Sequence, residues 1–275
     1  MDQVDINAAG GWKSFFSTKS RTSANSVLAL KINYTNNSTA KVSFSGDTSL
    51  FNQTWAHGKK KSVINGQPKI LKDTDANNNP LNYCASINVS GNATVTTGAG
   101  NDIVYAVNQR AVLTLDLGSG NDLGVGASQN DTLSGAAGND CLAGMGGNDV
   151  LNGGSGNDTL IGGAGDDVLT GGNGNDVFRF GQGDGNNLIG ERDIITDFTY
   201  QPGNLSLDII DLKGLKLLQG PAIFDIIEDG KSGFASVAVN YNGQLSTDLT
   251  IVLSGITYQS LNASQLSQIR AQIIA

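Results

Sequence analysis

An aspartate returns every nine residues between Leu117 and Arg179, at Asp122, Asp131, Asp140, Asp149, Asp158, Asp167 and Asp176. Each fills the sixth position of a nonapeptide that approaches Gly-Gly-x-Gly-x-Asp-x-apolar-x, and the cleanest copies span 153–161, 162–170 and 171–179. A period this short, held in one phase, predicts a solenoid in which each repeat stacks on its neighbours. A flexible linker of similar composition would keep neither the phase nor an apolar residue two positions after every Asp but the first.

The nine positions divide into a glycine-rich turn and a short strand. Glycine tolerates the left-handed turns that let carbonyls crowd inward, and Asn, frequent at the fifth position, is the other residue most at ease with positive φ. The last three residues are expected to form a very short strand. Its middle side chain, Leu133, Leu142, Leu151, Leu160, Leu169 or Phe178, faces inward by period-two alternation. Two nonads then make one coil, and each Asp lies beside the Asp two nonads on. Carboxylates and carbonyls in that arrangement form the hard oxygen shell that Ca2+ prefers. The expected metal ligands are Asp122, Asp131, Asp140, Asp149, Asp158, Asp167 and Asp176, holding several Ca2+ ions. The sharing pairs are 131/149, 140/158, 149/167 and 158/176, with 122/140 the weakest.

This run resembles the RTX repeats of Gram-negative secreted proteins, a group that includes toxins, proteases, lipases, polysaccharide-modifying enzymes and adhesins. The match fades toward the N-terminal end. Leu117 replaces the first glycine, Gly124 the apolar residue, Gln129 the third glycine, and Ala127, Ala136 and Met145 the second. An isolated copy at 97–105, with Asp102, stands out of phase, and residues 106–116 are expected to interrupt the stack.

Charge is unevenly spread along the chain. Residues 117–179 hold eight acids and one base, residues 1–96 five acids and ten bases, and residues 180–275 the reverse. Without calcium, rows of carboxylates repel and keep the roll unfolded. A net charge of −8 gives no footing for nucleic acid. No stretch is long and apolar enough to span a membrane, and no N-terminal signal peptide is visible. Cys84 and Cys141 are read as unpaired.

Beyond the repeats, Phe178-Arg179-Phe180, Asp193-Ile194-Ile195-Thr196-Asp197-Phe198 and Asp208-Ile209-Ile210-Asp211-Leu212 resemble the closing segment of RTX domains. Its task is to cap an open solenoid end, and Asp184 or Asp197 is a candidate for a terminal calcium shell. Residues 236–241 and 249–253 alternate around Asn242-Gly243 and predict a hairpin, and 262–273 has helical spacing. This region resembles the C-terminal target segment of type I secretion substrates, which implies a type I exporter as partner and a secreted, extracellular location. In residues 1–96, alternating runs predict strands. His57, beside Trp55 and Lys59-Lys60-Lys61, lacks the acidic partners of a general base.

The resulting expectation is an all-β chain: a right-handed parallel β-roll at 97–179, a β-rich module at 1–96, and a β cap with a secretion signal at 180–275. Its function is calcium binding coupled to folding after export. An adhesin or matrix protein that binds polysaccharide or a cell surface through 1–96 is the alternative. A secreted hydrolase or epimerase is the remaining and least favoured reading; catalysis is not expected, because His-Glu-x-x-His and Gly-x-Ser-x-Gly motifs are absent.

Overall fold

The computed structural model describes residues 92–106, 109–181, 191–200, 207–215, 224–240 and 249–274, together with Ile223 and the backbone of five earlier strands. Those five are β1 (Asp2–Ala8), β2 (Trp12–Ser17), β3 (Val27–Tyr34), β4 (Ala40–Ser43) and β5 (Asn82–Asn88). His57, the lysine run and Asp184 lie outside the described residues.

The repeats supply β6 (Asn92–Thr96), β7 (Ile103–Ala106), β8 (Val112–Asp116), β9 (Leu123–Val125), β10 (Thr132–Ala137), β11 (Cys141–Gly146), β12 (Val150–Ser155), β13 (Thr159–Ala164), β14 (Val168–Asn173) and β15 (Val177–Gly181). After them come β16 (Glu191–Ile195), β17 (Ile209–Gly214), β18 (Ile223–Glu228), β19 (Phe234–Asn240), β20 (Leu249–Thr257), helix α1 (Ala263–Ala271) and β21 (Ile273–Ile274). From β3 to β18, successive strands fall alternately into two sheets. One runs β2-β1-β3-β5-β7-β9-β11-β13-β15-β17-β21 and the other β18-β19-β20-β16-β14-β12-β10-β8-β6-β4. Pairing through the repeats is parallel, with Leu133 opposite Leu151 and Leu142 opposite Leu160. The fold is therefore a parallel β-solenoid, a β-roll.

The inward row is as the alternation requires: Leu133, Leu142, Leu151, Leu160, Leu169 and Phe178 are all fully buried. Strand β9 has the three residues expected, but β10–β14 are six residues long, because the ladder continues through the first residues of the next nonad. Nor does the stack break at 106–116. Strand β8 pairs with β6 and β10, so a coil two residues longer than the rest is absorbed in the turn before it. The loss of an apolar residue at Gly124 and of a glycine at Leu117 offset one another. A Cβ on Gly124 would lie only 3.0 Å from Leu117 Cδ1, so the buried Leu117 fills the space that Gly124 leaves.

The ladders also run past both ends of the repeats. Strand β4 pairs with β6 in parallel, and β14 and β15 pair with β16 and β17. The predicted hairpin is present as β19 and β20, and β20 is itself the parallel partner of β16. Asn262 and Gln265 form a reciprocal capping box on α1, whose Ile269 is buried. Cys141 is free, and the register Cys84–Ile103–Leu123–Cys141 sets Cys84 three strands away. At about 4.8 Å per strand, that separation is beyond disulfide reach.

Candidate metal centre

Stacking gathers the aspartates into two columns, one along each edge of the roll. In the first column the backbone N–H of Asp102 donates to Oδ1 of Asp122, Asp122 to Asp140, Asp140 to Asp158, Asp158 to Asp176, and Asp176 to Asp208, at 2.6–3.1 Å. In the second, Asp131 donates to Asp149, Asp149 to Asp167, and Asp167 to Asp193, at 2.7–2.8 Å. Each carboxylate thus spends one oxygen holding the coil before it. The pairs eighteen residues apart are the ones expected from the period.

The other oxygen is the informative one. Oδ2 of Asp122, Asp140, Asp149, Asp158, Asp167 and Asp176 is buried and accepts no hydrogen bond. A buried acceptor without a donor is costly, and a buried carboxylate more so. Burial accordingly pushes Asp149 up to about 8, Asp122 and Asp167 to about 7, and Asp158 to about 6, opposed by the backbone N–H each accepts and reinforced by neighbouring acids, those of the same column at Asp122, Asp149 and Asp158, and Glu191 and Asp166 at Asp167.

Except at Asp122, whose nonad begins with Leu117, each open oxygen lies against the first glycine of its own nonad. A Cβ built on Gly153 collides with Asp158 Oδ2 and comes within 2.7 Å of the carbonyl oxygen of Gly171, one coil on; Gly144 shows the same with Asp149 Oδ2 and Gly162 O at 2.6 Å. The space above the first glycine is thus a cradle lined by a carboxylate oxygen and a carbonyl oxygen, both hard donors of the kind calcium takes. Among the described residues no three acidic, His or Cys side chains converge, so carbonyls must complete any such shell. The glycines at the second and fourth positions have another task. Gly154 and Gly156 take φ of 109° and 124°, and a Cβ on either would strike a carbonyl of the preceding coil. Ala136 and Met145 hold that second-position geometry at φ of 72° and 81°.

Residues 88–106, 116–151 and 152–186 match the RTX calcium-binding nonapeptide repeat. They are RTX repeats. RTX repeats bind calcium, and the cradles of this roll suit several ions. No curated protein matches the chain. Among solved structures, the crystal structure of the extracellular lipase LipA from Serratia marcescens is similar over 90% of this chain and 45% of that one, at 14% identity and a TM-score of 0.27. The chain spans less than half the length of that lipase.

All seven Asp residues nominated from the RTX period lie in the columns, but they are not equivalent. Asp131 accepts at both oxygens, from Leu113 N–H at 2.6 Å and Ala127 N–H at 2.7 Å. Sequence reasoning missed Asp102, Asp193 and Asp208 as column members, since spacings of 20, 26 and 32 residues fall outside the period. The signal that survives is Asp-x-apolar, in Asp102-Ile103-Val104, Asp193-Ile194-Ile195 and Asp208-Ile209-Ile210. The fifth-position Asn also has a different role from the one expected. Among the described residues only Ala136 and Met145 are non-glycines at positive φ. The Asn side chains instead form ladders: Asn157 N–H donates to Asn139 Oδ1, Asn139 N–H to Asn121, and Asn175 N–H to Asn157. Asp197, named as a candidate for a terminal calcium shell, accepts from Gly171 and Gly172 N–H with its two oxygens.

Proposed function

We propose that the chain is a secreted, non-catalytic calcium-binding RTX protein whose roll folds when calcium arrives. The observation that carries this reading is the set of buried Oδ2 atoms without donors, all but that of Asp122 lying against a first glycine and those of Asp149 and Asp158 also beside a first-glycine carbonyl. Asp122, Asp140, Asp149, Asp158, Asp167 and Asp176 would hold the ions, and bound calcium supplies the positive charge these oxygens lack. Asp131 joins its coil to the one before through Leu113 N–H and closes its own turn through Ala127 N–H. Affinities of the extracellular class, about 10⁻⁴–10⁻³ M, would leave the chain unfolded in the cytosol and folded outside.

Circular dichroism of the full chain tests this reading. Chelator should leave mostly coil, and calcium should restore strand cooperatively. Magnesium should fail, because it keeps its water and demands tight octahedral geometry. An unchanged spectrum in chelator would refute calcium-driven folding.

The division into 1–96, 97–179 and 180–275 is in this reading one of roles, since the ladders cross both boundaries. Export by a type I system would be signalled from 180–275, and a passenger fused to this segment should reach the medium of cells with a compatible exporter. The excess of ten bases over five acids in 1–96 favours contact with an anionic polysaccharide or cell surface, which sedimentation with the full chain would reveal. No helix among the described residues is long and apolar enough to cross a membrane.

A further inference from the structure

At the C-terminal end of the second column the repeat pattern stops, and an acidic side chain meets the turn that holds Gly165. In the inner coils the fourth-glycine N–H donates to a carbonyl of the next coil: Gly138 to Ser155 O, Gly147 to Ala164 O and Gly156 to Asn173 O, at 2.8–2.9 Å. Gly165 N–H donates to a side chain, Oε1 of Glu191, at 3.1 Å. By register with Val168–Ile194, Glu191 occupies the fourth-glycine position of its coil, Arg192 the fifth and Asp193 the sixth.

Several carboxylate oxygens around this junction have a backbone donor. Asp166 Oδ1 accepts Arg192 N–H, Asp193 Oδ1 accepts Asp167 N–H, and Asp167 Oδ1 accepts Asp149 N–H. Two oxygens are left buried with no donor, Asp167 Oδ2 and Glu191 Oε2, and Asp167 is only 1% exposed. Arg192, the one base between 191 and 200, turns its guanidinium away onto Asp229, with Nη2 2.8 Å from Oδ2. Burial raises Asp167, Glu191 and Asp193, and Glu191 is the strongest like-charged neighbour of Asp167. Asp167 Oδ2 and Glu191 Oε2 are thus two buried, donorless oxygens at one junction, and among the described residues neither carboxylate has an ion-pair partner.

We propose that Asp167 and Glu191 hold a calcium ion at this junction, outside the nonapeptide pattern, with Glu191 supplying a charged oxygen that no inner coil has. The proposal rests on the calcium reading above. Because calcium affinity rises with ligand charge, this ion is the tightest bound of the second column.

Calcium binding by the full chain, followed by calorimetry and by counting ions in native mass spectra, tests it against Glu191→Gln and Asp140→Asn. Gln keeps an acceptor for Gly165 and removes the charge. E191Q should lose one ion, or weaken the tightest at least tenfold, with wild-type strand content at saturating calcium; D140N should lose a different ion and keep the tightest. Wild-type binding by E191Q alongside a loss in D140N overturns the Glu191 site and leaves the calcium reading standing. Wild-type binding by both overturns both. Glu191→Lys is the second variant, since its ammonium replaces a cation. Folding of E191K with one ion fewer supports the site. Failure of both Glu191 variants to fold at any calcium level, with D140N folded, overturns it in favour of a purely structural contact to Gly165.

Discussion

The backbone N–H of Asp140 donates to Oδ1 of Asp158, 2.7 Å away and one coil further on, while Asp158 Oδ2 receives no hydrogen bond. One carboxylate therefore serves two purposes, joining coils with one oxygen and presenting the other to a cation. Asp131 differs, since both of its oxygens are taken by backbone N–H groups. Asp158→Asn should raise the calcium midpoint by about tenfold or more, because a partly screened charge a few ångströms from the ion is worth on the order of a few kcal/mol. Asp131→Asn should destabilise the fold while leaving the number of bound ions unchanged. Titration calorimetry separates the two, and equal loss of ions from both variants would contradict the assignment.

Gly153→Ala probes the cradle without altering charge. Its φ lies outside the left-handed range, so the backbone accepts alanine, but the added methyl strikes Asp158 Oδ2 and crowds Gly171 O. The variant should bind one ion fewer and need more calcium to fold. An isotherm that matches the wild type would show that the ion does not sit above the first glycine.

The period made most of the roll legible, because one residue type at one spacing fixes both the coil length and the inward row. What it concealed was conformational. Asn at the fifth position suits positive φ in general, yet here it earns its place by passing Oδ1 to the N–H of the next coil, a contact between residues eighteen apart that no local propensity reveals. Asp102, Asp193 and Asp208 were hidden because insertions lengthen their coils, and the columns tolerate this since only the turn need absorb the extra residues. The exchange of Leu117 for Gly124 read as decay in the sequence; in three dimensions it is one volume moved across the core.

Met145 keeps a left-handed backbone, φ 81°, at a position where later coils have glycine. That conformation costs a residue with a Cβ about 1–2 kcal/mol. Met145→Gly should therefore raise the stability of the calcium-loaded protein by about 1 kcal/mol, less the greater freedom of glycine in the unfolded chain. Thermal unfolding at saturating calcium measures it, and a lower melting temperature would mean that the Met145 side chain contributes more than its backbone costs.

Proton linkage distinguishes a preformed roll from one that calcium folds. Burial holds Asp122, Asp149 and Asp167 at about 7 to 8 in the calcium-free fold, above the roughly 3.9 of an unfolded Asp. The sign follows: the calcium-free roll is most stable below about 4 and loses stability as pH rises through 7 to 8. Acid should therefore induce strand in chelator. Calcium folding an already ionised, unfolded chain displaces few protons, so its midpoint should stay nearly flat from pH 8 to 6 and rise only near 4 to 5. A midpoint that climbs steeply between pH 8 and 6 would instead show protons leaving a preformed roll.

The Arg192–Asp229 pair ties the β18–β19 hairpin to the end of the second column. Arg192 Nη2 and Nε approach Asp229 at 2.8 and 3.4 Å, Ser232 donates to the same carboxylate, and these contacts hold Asp229 well below the usual carboxylate range. Removing the guanidinium leaves Asp229, only 7% exposed, with its charge unmatched. Arg192→Ala should cost about 2 kcal/mol, and Arg192→Lys should recover only part of it, since an ammonium cannot span both oxygens as the planar fork does. The number of bound ions should not change, because the Arg192 N–H that meets Asp166 is a backbone group and survives substitution. Because Asp229 is depressed, the pair's contribution is present above about 4 and disappears as pH falls toward its lowered value. Denaturant unfolding at saturating calcium, at neutral pH and near pH 3, reads both effects, and an Arg192→Ala variant as stable as the wild type would show that the hairpin is held by its apolar face alone.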